Sequence, residues 1–239
     1  MKEKEQQWFP LEGTPKLMNE YIKNMGIDTT KHCFHDILSF DLLMMIPKPT
    51  RAVLLMYPIT KENEEFHRKE ESEQQKGNEQ KEIKSILEKS FFIKQTISNA
   101  CGTIGILHAL SNNVSALNTD DDNKDSFFSQ FMKDNAKNSA SERATYLEKN
   151  NQVAKLHESS AKDGFGDASE HTNTRIHFVC YAEIDDHLVL FDGRRPFPIV
   201  KGKIKSGLLE DASADIKSLI QLNQDAWKEF SATAFAASS

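Results

Sequence analysis

No run in this sequence approaches the ~18 consecutive apolar residues of a membrane-spanning helix, so no membrane segment is expected. The opening MKEKEQQWFPLEG lacks the apolar core of a secretory signal, which points to a soluble, cytoplasmic protein. Cysteine is scarce: the three are Cys33, Cys101 and Cys180, far apart, with no C-x-x-C pair and no histidine at ligand spacing. Such a set argues against a disulfide framework and a zinc site, so neither metal nor other cofactor is expected, and a reducing compartment fits. Positive charge is not in excess either. With 30 Lys and Arg against 36 Asp and Glu, and a net charge of -6, nucleic acid is not an expected partner and a basic partner surface is favoured.

Apolar mass is ample. The composition is 38% hydrophobic with 15 Phe, enough to bury a core, and residues 1–239 are expected to form one domain acting as a monomer. Thr14-Pro15 followed by Leu17, Met18, Tyr21, Ile22 and Met25 predicts a helix closed at Gly26. Asp41 to Ile46 fits one helical turn before Pro47, and Ala52 to Ile59 a buried strand. Lys61 to Glu82, rich in Lys, Glu and Gln, reads as a solvated helix or loop without chemistry, divided near Gly77-Asn78. Ile83, Ile86 and Leu87 restart an amphipathic pattern leading into Phe91 and Phe92. Ser98 or Asn99 is placed to cap a helix that is apolar on nearly every side after Cys101, hence central and buried. Ser139 with Glu142 forms a capping box opening a helix toward Leu156, and Lys162 to Thr174 reads as a long exposed loop. Arg175 to Ile184 and Leu188 to Phe191 are strand-like, separated by Asp185-Asp186 at a hairpin turn.

Cys101 falls in the first turn of its predicted helix, where unpaired backbone N–H groups and the positive end of the helix dipole favour thiolate over thiol. Gly102 behind it leaves room for an acyl group to approach the backbone. The competing role for such a residue is a small core side chain. A thiolate mechanism needs a base. His108 is seven residues on, roughly 10.5 Å of helix rise, too far for a hydrogen bond to Cys101. His32, His35, His67, His157, His171 and His187 lie in polar or turn-like contexts and are expected at the surface.

His177 lies inside a strand. If Asp185 and Asp186 make a two-residue turn, facing positions sum to 371, so Asp192 faces Val179 and His177 faces Arg194. His177 and Asp192 then share a face as diagonal neighbours, about 7–8 Å apart or less at Cβ, within reach of an imidazole–carboxylate hydrogen bond. An odd-length turn would break this. The carboxylate would fix the tautomer and leave the other ring nitrogen for the thiol. Gln95, six residues before Cys101, is spaced for its amide to join the Cys101 backbone N–H in an oxyanion hole. Cys180 alternates away from the His177 face and is expected in the core.

The segment from Gln95 to Leu110, the His177 strand and Leu190-Phe-Asp-Gly-Arg-Arg-Pro-Phe-Pro198 closely resemble the signatures of the short, single-domain ubiquitin C-terminal hydrolases. Trp8-Phe-Pro-Leu-Glu12, Ala52 to Ile59 and Glu142-Arg-Ala-Thr-Tyr-Leu-Glu148 extend the similarity over nearly the whole chain. The resemblance implies an α/β (α+β) papain-like-related sandwich with a central antiparallel sheet flanked by helices, a knotted backbone, and a loop from about 156 to 174 crossing the active-site cleft. It implies thiol-dependent cleavage at the C-terminal glycine of ubiquitin, releasing small or unfolded adducts and processing precursors. Cys101 would be the nucleophile, His177 the base, Asp192 its partner and Gln95 the oxyanion donor. Leu11, Glu12 and Asp36 occupy family-like positions near the surface that takes ubiquitin, with related ubiquitin-like modifiers as further candidate partners. Departures are the polar stretches 61–82 and 118–125. Two rivals stay open: a ubiquitin-binding protein with little turnover, and a thiol transferase or other papain-like peptidase acting on a different acyl donor.

Overall fold

A computed structural model describes residues 8–77, 80–117, 125–165 and 175–239. Its centre is a six-stranded antiparallel sheet: β1 (His32–Asp36), β2 (Thr50–Pro58), β3 (Ile176–Ile184), β4 (His187–Phe191), β5 (Ile199–Lys203) and β6 (Ser231–Ala237). The order across the sheet is β1-β6-β2-β3-β4-β5, so β2 and β3 are interior. That position explains their apolar sequences, because an interior strand covered on both sides buries both of its alternating faces.

Helices supply the covers. On one face lie α1 (Pro15–Asn24), α3 (Lys81–Lys89), α4 (Cys101–Ser111), α5 (Phe127–Asn135), α6 (Ala140–Lys149) and α7 (Asn151–Phe165). Their apolar side chains pack with Leu54, Phe178, Cys180, Val189, Phe191 and Phe235. On the other face α8 (Leu208–Leu222) places Leu209, Ala212, Ile216 and Leu219 against Val53, Leu55, Val179, Tyr181 and Leu190. Cys180 is fully buried on the α4 face, as its alternation from His177 requires, and burial pushes its thiol far up from the ordinary value. Every residue of α4 is buried, as its uniform apolarity predicts. Gly105 lets this helix sit close on the sheet: a Cβ there would lie 3.1 Å from Leu54 Cδ2.

The hairpin between β3 and β4 has the expected two-residue turn. Asp185 and Asp186 have φ of 49° and 60°, the left-handed values of a hairpin turn whose twist matches its strands. Cys180 pairs with Phe191 and Ile184 with His187.

Several local expectations are corrected. α4 starts one residue after Ala100, which caps it without a side-chain hydrogen bond, in place of Ser98 or Asn99. The Ser139–Glu142 capping box is present, but its helix stops at Lys149. Asn150 turns extended and its Oδ1 accepts from Gln152 N and Val153 N, both at 3.0 Å, so it caps a second helix. That helix runs to Phe165, so the first part of the stretches expected as a loop over 162–174 and as a crossover loop over 156–174 is helical, while 166–174 lies outside the described residues. Within 61–82, α2 (Lys61–Gln75) is capped by Thr60 and docks firmly rather than standing in solvent. Gln74 Nε2 donates to Pro198 O at 2.7 Å and its Oε1 accepts from Val200 N at 2.6 Å.

Candidate active site

Cys101 opens α4, whose N-terminus meets the start of β3. Leu11 lies against this point: a Cβ on Gly102 would come within 3.0 Å of Leu11 Cβ, so only glycine fits without displacement. Leu11 is buried, so its side chain supports the nucleophile helix from below and offers little free surface. The segment from Trp8 is tied on by Trp8 N donating to Ser98 O at 3.0 Å and Asn99 Nδ2 donating to Trp8 O at 2.9 Å.

His177 and Asp192 meet as the hairpin register requires. His177 Nε2 lies 2.7 Å from Asp192 Oδ1, and the two residues are each 2% exposed. The Cys101 thiol lies close enough to the ring for each group to shift the other's protonation. Tyr57, the neighbour of His177 on β2, sets its ring edge-on at 5.8 Å, limiting tilt of the imidazole. Thus three side chains from α4, β3 and the segment after β4 converge in one place.

The electrostatics follow from that contact. Burial disfavours the imidazolium, yet the Asp192 charge and hydrogen bond, together with the bond to Cys101, outweigh it and raise His177 to about 9. Burial opposes the Cys101 thiolate too, but the hydrogen bond and charge of His177 and the backbone N–H groups of Phe178 and Gly102 hold its thiol below the ordinary value. Asp192 is held well below the usual carboxylate range: its burial is overcome by the charge and hydrogen bond of His177, the Arg194 N–H at 2.9 Å and the Arg195 charge. Together these favour a thiolate–imidazolium pair at rest, a nucleophile that needs no deprotonation at the moment of attack.

Gln95 lies beside this group, its backbone N donating to Gly193 O at 2.8 Å, one residue beyond Asp192. Its Nε2 donates to Ile97 O at 3.2 Å, and its Oε1 is buried without a hydrogen-bond partner among the described residues. The resting amide therefore points along its own segment. Glu12 and Asp36 are set apart from the cysteine, in the wall of a groove of about 700 Å³ with Leu38, Met56, Trp227 and Phe230. Met56 pairs with Phe178 across the sheet, so the groove begins next to His177 without including the three converging side chains in its walls. Among the described residues no cluster of His, Cys, Asp or Glu is arranged to hold a metal ion, and no helix is long and apolar enough to cross a membrane.

Sequence reasoning misplaced three histidines. His157 is 1% exposed on α7, with its Nδ1 2.8 Å from Thr103 Oγ1 and its Nε2 hydrogen-bonded to Phe9 O. Since Phe9 O only accepts, Nε2 carries the proton and Nδ1 accepts from Thr103, whose oxygen in turn accepts from Tyr21 at 2.7 Å. Burial lowers His157 to about 4, so it stays neutral. His67 and His187 are also buried, against Glu70 Oε2 at 3.4 Å and on Asp185 O at 2.6 Å. His108 is sandwiched with Phe92 and Phe191, accepts from Ile93 N at 3.0 Å, and burial drives it to about 3. Also unforeseen is a set of charges behind Asp192, formed by Arg195 with Glu64 and Glu71 of α2. The Asp-Gly-Arg-Arg sequence offered only the signal that two adjacent arginines follow the carboxylate.

A family model described as "Ubiquitin carboxyl-terminal hydrolase, family 1" matches residues 8–221. A relative from Arabidopsis thaliana, "Ubiquitin carboxyl-terminal hydrolase 3", is 40% identical over 221 residues, covering 90% of this chain and 88% of its own. "Ubiquitin carboxyl-terminal hydrolase isozyme L1" of Homo sapiens is 34% identical over 218 residues, covering 90% and 92% respectively. Among solved structures, the Trichinella spiralis UCH37 catalytic domain bound to ubiquitin vinyl methyl ester superimposes with a TM-score of 0.73 at 20% identity, over 97% of this chain and 96% of that one. That likeness establishes a shared fold.

Proposed function

The chain belongs to the ubiquitin carboxyl-terminal hydrolase family 1, and from that premise we propose that it hydrolyses thioester, ester, amide and peptide bonds at the C-terminal glycine of ubiquitin, using Cys101, His177, Asp192 and Gln95. One observation carries the assignment of residues: His177 touches Asp192 with Nε2 at 2.7 Å while its charge acts on the Cys101 thiol at the start of α4.

The chemistry runs from these groups. Cys101 Sγ, already a thiolate, adds to the glycine carbonyl carbon, and the carbonyl electron pair moves onto oxygen. The Cys101 backbone N–H, at an unpaired helix start, and the Gln95 amide hold that oxyanion once Gln95 Nε2 leaves Ile97 O. The His177 imidazolium gives its proton to the departing amine as the C–N bond breaks, leaving a thioester. Neutral His177 then takes a proton from water, which attacks the thioester and restores the thiolate.

Ubiquitin's tail is rich in arginine, and Glu12 and Asp36 offer it carboxylates in the groove beside His177, where Lys217 is paired with Asp41 and Lys228 also lines the wall. Ubiquitin-like modifiers with a similar tail are competing substrates in the same groove. Three free cysteines suit a reducing compartment, and we place the protein in the cytoplasm. The decisive experiment is reaction with a ubiquitin bearing a C-terminal vinyl electrophile, followed by peptide mapping. An adduct on Cys101 alone is expected. A folded protein that takes up no probe, or takes it up on Cys33 or Cys180, would refute the assignment.

A further inference from the structure

The Asp192 carboxylate has two oxygens, and only one meets His177. Oδ1 accepts from His177 Nε2 at 2.7 Å and from Arg194 N at 2.9 Å. Oδ2 accepts from Arg195 Nε at 3.2 Å. We propose that Arg195 is a positioning residue for the Asp192–His177 pair, acting through the carboxylate oxygen that the imidazole does not use. This rests on the hydrolase reading and adds to it a residue that touches no substrate.

The placement is built rather than incidental. Arg195 N donates to Asp192 O at 2.9 Å, so a tight turn over 192–195 delivers the guanidinium back onto its own carboxylate. The residue is 8% exposed. Two acidic side chains of α2 face it: Glu64 Oε1 is 3.6 Å from Nη2 and Glu71 Oε2 is 3.8 Å from Nη1. Those are ion-pair separations without hydrogen bonds, and Nη2 is buried without a hydrogen-bond partner among the described residues. Glu64 also takes Arg194 Nη1 at 3.1 Å, so one carboxylate steadies both arginines. α2, read from sequence as having no chemistry, thereby braces the site from behind. Tyr57, next to His177, completes the surroundings with a buried hydroxyl that lacks a hydrogen-bond partner among the described residues.

Two physical effects follow. The terminal torsion of an aspartate is broad, so a carboxylate held at one oxygen can pivot, whereas a donor at each oxygen fixes its plane and with it the line from Oδ1 to Nε2. The second effect concerns charge during turnover. His177 is cationic before it protonates the leaving group and neutral while the thioester waits for water. In that neutral interval Asp192 would be a buried, uncompensated charge, and Arg195 supplies the missing countercharge. The pair can then cycle without the carboxylate taking up a proton.

The test combines turnover of a fluorogenic ubiquitin C-terminal amide with iodoacetamide alkylation of Cys101 in the protein without ubiquitin, for Arg195→Met, Arg195→Gln, Arg195→Lys, Asp192→Asn and the double variant Asp192→Asn/Arg195→Met. Arg195→Met is expected to lower kcat about tenfold or more, the scale on which supporting hydrogen-bond partners act at metal sites, with KM little changed. Arg195→Lys is expected to restore most of that loss. In the Asp192→Asn background, adding Arg195→Met is expected to change kcat by less than about twofold, because the residue acts through a carboxylate no longer present. Removing a nearby cation also makes every proton of the site harder to lose, so the pH of half-maximal Cys101 alkylation is expected to rise in Arg195→Met and in Arg195→Gln. Arg195→Gln carries the test if Arg195→Met does not fold. Unaltered kcat and alkylation midpoint in a folded variant, or losses that multiply in the double variant, would overturn the proposal. A wild-type protein that leaves the ubiquitin amide intact would defeat the hydrolase reading instead, and the alkylation midpoint would still decide the role of Arg195.

Discussion

His177 and Asp192 are joined at 2.7 Å, although the turn that aligns them, Asp185-Asp186, closes the opposite end of their hairpin. The left-handed backbone at both turn residues fixes a register in which Cys180 faces Phe191, and that register alone puts the imidazole and the carboxylate on one face. With Nε2 engaged by the carboxylate, the other ring nitrogen is the one left for the sulfur.

Cys101→Ala is expected to abolish turnover of a fluorogenic ubiquitin amide while preserving ubiquitin binding, because the sulfur makes the bond and Cys101 is small and almost buried. Calorimetric titration with ubiquitin beside the activity assay checks both halves. Residual turnover in that variant would remove the nucleophile assignment.

The coupled Cys101–His177 pair predicts the pH dependence. The thiol is lowered and the imidazole raised to about 9, against unperturbed values of about 8.5 and 6.5. Activity should rise as the pH climbs through the lowered thiol value, where the thiolate forms. It should fall again as the pH passes about 9, where His177 loses the proton it must give to the leaving group. Alkylation of Cys101 should follow only the first of these limbs. A kcat/KM profile that still climbs beyond pH 9 would contradict the assignment of His177 as acid.

Gln95→Ala is expected to reduce kcat by about 10²–10³-fold, the usual loss for one oxyanion donor, with KM little altered. Among the described residues the side chain hydrogen-bonds only Ile97 O at rest, so the folded protein should hardly register its removal. Steady-state kinetics together with a urea unfolding curve separate the two effects.

His157→Leu tests the histidine network. It would take the His157 N–H from Phe9 O and leave the Thr103 hydroxyl, still bonded to Tyr21, without an acceptor for its own proton; a buried polar group left unsatisfied costs about 1–3 kcal/mol. The urea midpoint is expected to fall accordingly. An unchanged midpoint would show that those groups find other partners.

What the sequence disclosed tracks how local the cause is. The β3–β4 hairpin was legible because two residues set its register, and the Ser139–Glu142 cap because it is complete within one turn. The burial of His157 depends on Tyr21, Thr103 and Phe9, which are distant in sequence, so its polar neighbours in the chain misled. Asn150 ends one helix and caps the next through a single side chain inside an otherwise helical pattern. β1, with sequence HCFHD, has no strand-like alternation and exists because β6 pairs with it. α8 is written in its sequence too, since Leu208, Ala212, Ile216 and Leu219 repeat at helical spacing. Arg195 hid in a turn, where an arginine after Asp-Gly ordinarily faces solvent.

The strand order carries a consequence for biosynthesis. β6, the last of the described strands in chain order, inserts between β1 and β2, the first two. Until residues 231–237 are in place, β1 has no strand partner and the edge of β2 that β6 covers stays open. A chain lacking that strand would expose the bare edge of β2 and an unpaired β1, both templates for pairing with its own copies.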